Sequence, residues 1–206
     1  MNRQRHFSMI RGFHLADWLT LGNAFCGMAA VLATMASLRA GQPRGLLAAM
    51  GFIPFALLFD VLDGRVARWR QKQSALGREL DSLADVISFG VAPAAIGYGA
   101  GMQGPWDALV LLYFVGCGVS RLARYNITAE ALAQASGKVA YFEGTPIPSS
   151  ALLVAVLAVA ACTGRTGEAL YFGSVELGGA TLHPLVLMYA LSGSLMVSKT
   201  VRIPKW

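Results

Sequence analysis

Charge, cysteine and histidine are all scarce in this sequence of 206 residues. Only 14% of the residues are charged, against roughly 25% in an average soluble domain. The three cysteines (Cys26, Cys117 and Cys162) lie in apolar stretches without CxxC spacing, which argues against structural metal sites and disulfides. The three histidines form neither an HExxH motif nor a Ser–His–Asp pattern. These absences argue against a zinc site and against a histidine-based catalytic site.

Long apolar runs occupy most of the chain instead. Hydrophobic residues make up 55% of it, and a bilayer-spanning helix needs about 20 mostly apolar residues. Six stretches are candidates: Trp18–Leu38, Leu46–Phe59, Leu83–Ala100, Trp106–Val119, Ser150–Cys162 and Pro184–Val197. The sequence thus predicts an all-α polytopic membrane protein with about six transmembrane helices, in a single domain covering residues 1–206.

The segment before the first run, RQRHFSMIRGFHLADW, places Phe7, Ile10 and Phe13 at helical spacing. This pattern favours a short N-terminal interfacial helix with its basic side towards water. A disordered basic tail is the alternative, and a cleaved signal peptide is disfavoured because five further apolar runs follow.

The basic residues are distributed unevenly between the predicted loops. Only Arg39, Arg44 and Arg165 of the 17 Lys and Arg residues fall on one side of a six-helix topology. The positive-inside rule then predicts that both termini face the cytoplasm, as in a bacterial-type inner membrane protein. The net charge of +6 suits anionic lipid head groups, and no soluble basic face predicts nucleic-acid binding.

Four carboxylates stand at the ends of two apolar runs, in the segment DVLDGRVARWRQKQSALGRELDSLAD. Asp60 and Asp63 share a helix face, because residues three apart are neighbours on a helix. Asp81 and Asp85 are four apart and share another. Small residues beside them permit close helix packing: Gly64, Ala67 and Gly77. We expect two antiparallel helices to bring the four carboxylates together.

Clustered carboxylates repel one another and are costly in a membrane, and divalent cations remove that conflict. All-oxygen ligands suit Mg²⁺, Mn²⁺ or Ca²⁺, and two such ions could stabilise charge on a phosphoryl group in transfer. The structural alternative is ion pairing at a solvated helix end with the nearby arginines Arg65, Arg68, Arg70 and Arg78. Intramembrane acids are functional by default, so a metal site is the favoured interpretation.

The spacing of this segment resembles the signature of the CDP-alcohol phosphotransferase family. It reads Asp60-x-x-Asp63-Gly64-x-x-Ala67-Arg68, then eight residues, then Gly77-x-x-x-Asp81-x-x-x-Asp85. The resemblance implies a membrane enzyme of six helices, usually a homodimer, with a divalent-metal site at the cytoplasmic surface. It also implies that a CDP-linked lipid such as CDP-diacylglycerol gives its phosphatidyl group to an alcohol and releases CMP.

The same resemblance implies roles for individual residues. Asp60, Asp63 and Asp81 would be metal ligands, and Asp85 would be both a ligand and the catalytic base on the attacking hydroxyl. The CDP-lipid would be bound by Asp60, Asp63, Gly64, Ala67, Arg68 and Gly77, with Arg68 meeting its phosphates. A guanidinium suits that role because it is a permanently charged fork for phosphate oxygens.

Several other stretches resemble the phosphatidylserine synthase branch of the family, which implies L-serine as the acceptor. They are LTLGNAFCG, ELDSLADVISFGVAP, SRLARYN, YFEGTPIPSS and SLMVSKTVRIP. The serine-binding candidates are Arg121 and Arg124 for the carboxylate, Glu143 for the ammonium, and Asn126 and Tyr141 for hydrogen bonds. Both arginines could instead determine topology or contact lipid phosphate.

Other acceptors keep the same chemistry: glycerol 3-phosphate, inositol or its phosphate, and ethanolamine. An archaeal-type ether lipid donor is a further alternative. A small cation transporter would also explain intramembrane carboxylates, but it gives no reason for the glycines, Ala67 and Arg68 at their spacings.

Overall fold

The computed structural model describes residues 13–41, 43–69, 75–134, 141–198 and 202–204. Helices dominate these residues. They comprise α1 (Leu15–Ala40), α2 (Pro43–Trp69), α3 (Ala75–Asp85), α4 (Ala92–Ala100), α5 (Pro105–Gln134), α6 (Ala151–Cys162) and α7 (Leu187–Val197), with a π-helical segment, Val86–Val91, joining α3 to α4. The predicted all-α membrane architecture is confirmed.

Four helical stretches are long and apolar enough to cross a bilayer: Leu15–Ala40, Gly45–Val66, Leu76–Ala100 and Pro105–Ile127. The other two predicted spans form the shorter apolar helices Ile147–Cys162 and Pro184–Val197, of at most 17 residues. At a rise of about 1.5 Å per residue these reach about 25 Å, less than the roughly 30 Å of a hydrocarbon core. The six predicted spans thus divide into four long helices and two short ones.

The predicted interfacial helix falls mostly outside the described residues. Within them, Phe13 and His14 precede α1, which begins at Leu15.

The longest helix contact joins α1 to α2, which are antiparallel. The buried face of α1 repeats every three and four residues along Thr20, Asn23, Gly27, Ala30 and Thr34, the spacing of a single helix face. Gly41 ends α1 in the left-handed conformation, with φ +62°, where glycine has no steric penalty. The chain therefore reverses at once into α2.

Hydrogen bonds hold the π-helical segment against α1 and against Ser150, the residue directly before α6. Ser88 Oγ donates a 2.8 Å hydrogen bond to the Asn23 carbonyl, and Ser150 Oγ donates a 2.7 Å bond to the Phe89 carbonyl. Gly27 allows this approach, since a Cβ there would lie 2.7 Å from Ser88 Cα. Single-turn π segments occur frequently at functional sites, and this one begins directly after Asp85.

Short strands, which the sequence did not predict, tie the loops together. β1 (Tyr141–Glu143) pairs antiparallel with β4 (Arg202–Pro204), and β2 (Val175–Leu177) pairs with β3 (Ala180–Leu182). At the end far from the aspartates, Asp107 is fully buried. Its Oδ1 accepts a 2.8 Å hydrogen bond from the backbone N–H of His183, and its Oδ2 lies 2.6 Å from the ring Nδ1 of the same residue. The end of β3 is thereby held against the start of α5.

Candidate active site

Three of the four motif aspartates converge on one point. Carboxylate oxygens of Asp60, Asp63 and Asp81 lie within 4.8 Å of one another. Two come from the last turns of α2 and one from α3, and both helices pack against α1 rather than mainly against each other as the sequence predicted. Asp63 is almost fully buried, and Asp60 and Asp81 are half-buried. This cluster, called the carboxylate triplet below, lies where the sequence predicted a metal site.

Asp85 lies beside the triplet rather than within it. Its carboxylate interacts electrostatically with all three of the other aspartates, and its residue is only 7% exposed. It stands at the last position of α3, immediately before the π-helical segment. Asp85 is thus close enough to interact electrostatically with the triplet, but it is not one of the three carboxylates that converge.

Two residues of α1 hold these carboxylates, and sequence reasoning assigned a role to neither. Thr20 Oγ1 donates a buried 2.8 Å hydrogen bond to Asp63 Oδ2. Asn23 Nδ2 donates a buried 3.2 Å hydrogen bond to Asp85 Oδ1. The sequence signal that could have indicated this role is that Thr20 and Asn23 are polar and three residues apart, on one face of an otherwise apolar span. Hydrogen-bond donors of this kind orient the groups that bind a ligand.

The residues fit a divalent cation. The triplet offers only carboxylate oxygens, the donor type that Mg²⁺, Mn²⁺ and Ca²⁺ prefer. Asp81 Oδ1 is buried without a hydrogen-bond partner among the described residues, although buried polar atoms are normally paired. In the same part of the chain, no Lys or Arg lies within 4.0 Å of any of the four carboxylates. Ion pairing with Arg65 and Arg78 is thus not the arrangement adopted.

The predicted acceptor residues separate from one another in the structure. Arg121 is half-buried, interacts electrostatically with Asp85, and has an Nε atom without a partner in the described structure. Arg124 is exposed. Asn126 joins α5 to α3, because its amide donates to the Glu79 carboxylate at 3.3 Å and its oxygen accepts from Ser82 at 3.2 Å. Of these three residues, Arg121 is the one for which an interaction with Asp85 is found.

For the remaining predicted residues, the structure describes the backbone of four and the surroundings of two glycines. The side chains of Ala67, Arg68, Tyr141 and Glu143 lie outside the described part of the structure; Tyr141 and Glu143 contribute the backbone of β1. Gly64 and Gly77 are half-buried on the helices that carry the triplet. A Cβ on Gly64 would meet no described atom within 4 Å, so this glycine leaves open space beside Asp63.

Comparisons with known proteins bear on the family of this chain. A family model described as CDP-alcohol phosphatidyltransferase matches residues 13–192. The chain is 42% identical over 205 residues to the CDP-diacylglycerol–serine O-phosphatidyltransferase of Saccharomyces cerevisiae, covering 98% of this chain and 74% of that one.

Two further relatives match over shorter regions. Identity is 44% over 122 residues to the CDP-diacylglycerol–serine O-phosphatidyltransferase of Mycobacterium tuberculosis, covering 57% of this chain and 41% of the relative. It is 37% over 143 residues to the archaetidylserine synthase of Methanothermobacter thermautotrophicus, covering 68% and 55%. The four long apolar helices and the family match together show that this chain belongs to the CDP-alcohol phosphatidyltransferases and is an integral membrane transferase.

Proposed function

We propose that the protein transfers the phosphatidyl group of CDP-diacylglycerol to L-serine, giving phosphatidylserine and CMP. The observation that carries the proposal is similarity over almost the whole chain to a relative named for this reaction. The carboxylate triplet supports it, because transfer between phosphate esters needs a site that neutralises phosphate charge.

The triplet and its surroundings form the donor side of the proposed site. Asp60, Asp63 and Asp81 would hold a divalent cation, Mg²⁺ or Mn²⁺ or Ca²⁺, which would neutralise the pyrophosphate of the CDP-lipid. Thr20 orients Asp63 for that task through its hydrogen bond. The space at Gly64 accommodates the cytidine nucleotide, with Ala67 and Gly77 keeping the same wall small and Arg68 meeting the phosphates.

Asp85 is the proposed general base. Its burial and its bond from Asn23 fix one carboxylate oxygen, and a base must lie within hydrogen-bond reach of the proton that it removes. Arg121 is the better candidate for the serine carboxylate, because it is half-buried towards Asp85 while Arg124 is exposed. Tyr141 and Glu143 remain candidates from the sequence, and Asn126 supports the site by joining two helices.

The reaction is a single displacement. Asp85 takes the hydroxyl proton as the serine oxygen attacks the phosphorus that carries diacylglycerol. The bond from that phosphorus to the bridging oxygen breaks, and CMP leaves on the opposite side. One in-line displacement inverts the configuration at phosphorus, whereas overall retention would indicate a covalent enzyme intermediate.

We also propose the arrangement in the membrane. A single domain would carry the site at the cytoplasmic side, with both termini on that side, and the enzyme would act as a homodimer. The basic residues beside the aspartates support this orientation. In a variant without the native cysteines, an impermeant thiol reagent applied to intact cells should label a cysteine replacing Arg165 and spare one replacing Arg65. The reverse pattern would invert the topology.

The deciding experiment measures CMP release from CDP-diacylglycerol by purified protein with Mn²⁺. L-serine, glycerol 3-phosphate, inositol and ethanolamine are compared as acceptors, with EDTA and Asp85→Asn as controls. We expect release that requires serine, stops with EDTA and falls at least about 100-fold in the variant, the usual scale of base catalysis. Release with another acceptor would replace serine but keep the chemistry, and no release with any acceptor would overturn CDP-diacylglycerol as the donor.

One observation supports an alternative donor. The similarity to an archaetidylserine synthase makes an ether-linked CDP-lipid a reasonable second substrate to test. Both donors should be assayed with L-serine under identical conditions. A higher kcat/KM with the ether lipid would reassign the donor and leave the acceptor unchanged.

A further inference from the structure

Asn23 carries an unused hydrogen-bond acceptor at the proposed base. The residue is fully buried, and its Nδ2 donates to Asp85 Oδ1 at 3.2 Å. Because an ionised carboxylate only accepts hydrogen bonds, this contact identifies which end of the amide is nitrogen. The other end, Asn23 Oδ1, is buried without a partner in the described part of the chain.

Arg121 carries an unpaired hydrogen-bond donor near the same carboxylate. Its Nε is buried and unpaired among the described residues, and its guanidinium interacts with the same Asp85 carboxylate. Buried polar atoms are almost always satisfied by protein, water or ligand. Apart from Asp81 Oδ1, which belongs to the carboxylate triplet, the described surroundings of Asp85 therefore contain an acceptor on Asn23 and a donor on Arg121 that no described residue pairs.

We propose that Asn23 Oδ1 accepts a hydrogen bond from the amino group of the acceptor alcohol, and so makes Asn23 a specificity-determining residue. The inference rests on the proposed function and extends it. Serine carries three groups that match the three positions: a hydroxyl for Asp85, a carboxylate for Arg121 and an amine for Asn23. Its amine and hydroxyl stand on adjacent carbons, and the amide of Asn23 lies in contact with the carboxylate that takes the hydroxyl proton.

This arrangement selects against alcohols that lack the amine. An acceptor without it leaves Asn23 Oδ1 buried and unpaired, and sites built to hydrogen-bond a substrate group discriminate strongly against analogues lacking that group. Loss of one such buried bond corresponds to about a 10- to 100-fold reduction in kcat/KM. Glycerol 3-phosphate and inositol both lack an amine, so the inference explains why they would be poor acceptors.

The test compares L-serine with 3-hydroxypropionate, which is serine without its amino group. Wild-type enzyme is assayed for CMP release with both acceptors, alongside Asn23→Ala. Thr34→Val is the matched control, since Thr34 lies on the same buried face of α1 and donates to the Ala30 carbonyl. Wild type should prefer serine about 10- to 100-fold in kcat/KM. Asn23→Ala should lose most of that preference, while Thr34→Val keeps it.

The comparison separates recognition from positioning. Loss of the bond to Asp85 in Asn23→Ala lowers kcat with both acceptors equally, so only the ratio between acceptors reports on the amine. An unchanged ratio in Asn23→Ala would overturn the inference, and so would wild-type enzyme that uses the two acceptors equally well. The second measurement needs no variant and stands even if Asn23→Ala does not fold.

Failure of the proposed function gives a different result. Wild-type enzyme would then release CMP with glycerol 3-phosphate or inositol and not with serine, which overturns the amine site together with the serine assignment. Equal use of serine and 3-hydroxypropionate would overturn the amine site alone.

Discussion

The hydrogen bond between Thr20 and Asp63 offers a direct test of the carboxylate triplet. Thr20→Val keeps the shape of the side chain and removes the hydroxyl that donates to Asp63 Oδ2 at 2.8 Å. The bond is buried, and a hydrogen bond to a charged group contributes about 1.5–3 kcal/mol. Each 1.4 kcal/mol corresponds to about tenfold in affinity. We therefore expect the affinity for the divalent cation to fall about 10- to 100-fold, the usual effect of losing a residue that holds a metal ligand in place.

Two measurements would follow the Thr20→Val variant. Mn²⁺ binding is recorded by electron paramagnetic resonance, which needs no turnover, and the Mn²⁺ dependence of CMP release is recorded in parallel. The half-saturating Mn²⁺ concentration should rise in both, while kcat at saturating Mn²⁺ changes much less. Thr34→Val serves as control because its hydroxyl bonds only within α1, to the Ala30 carbonyl at 2.9 Å. Equal Mn²⁺ dependence in the two variants would refute the assignment of the triplet as the metal site.

Three further predictions follow from the same geometry. Gly27→Ala should lower the free energy of unfolding by about 1–3 kcal/mol, because the new Cβ would lie 2.7 Å from Ser88 Cα. Thermal unfolding in detergent measures the effect, and an unchanged unfolding midpoint would contradict the prediction. Gly64→Ala should leave the unfolding midpoint unchanged, because its Cβ would meet no described atom within 4 Å. It should raise the KM for CDP-diacylglycerol, and an unchanged KM would contradict the placement of Gly64 in the nucleotide site. Arg121→Gln should raise the KM for serine about 10-fold or more, and Arg124→Gln should raise it much less. The opposite order would show that Arg124 binds the serine carboxylate.

The aspartate motif shows what local spacing can predict. Residues three and four apart must share a helix face, so Asp60 with Asp63, and Asp81 with Asp85, could be paired from the sequence alone. Which of the four carboxylates converge depends on how two helices pack and where one of them changes its winding. The structure gathers three of them and leaves Asp85 at the end of α3, immediately before the π-helical segment. No periodicity in the sequence signals that segment.

The acceptor side shows the same limit on α5. Arg121 and Arg124 are also three apart, and the sequence treats them alike. In the structure Arg121 is half-buried towards Asp85, one turn closer to the packed part of the helix, and Arg124 is exposed. Exposure depends on which neighbouring helices cover each turn, and that is a property of the assembled fold.

The membrane character, the helices and the class of chemistry could all be predicted from the chain alone. Apolar length, helical spacing and the aspartate signature are all local properties of the chain. Only the tertiary structure decided which α1 side chains serve the site. Thr20 reaches Asp63 across 43 residues and Asn23 reaches Asp85 across 62. Such contacts exist because helix packing brings distant turns together, and the proposed acceptor site rests on buried polar atoms that this packing leaves unpaired among the described residues.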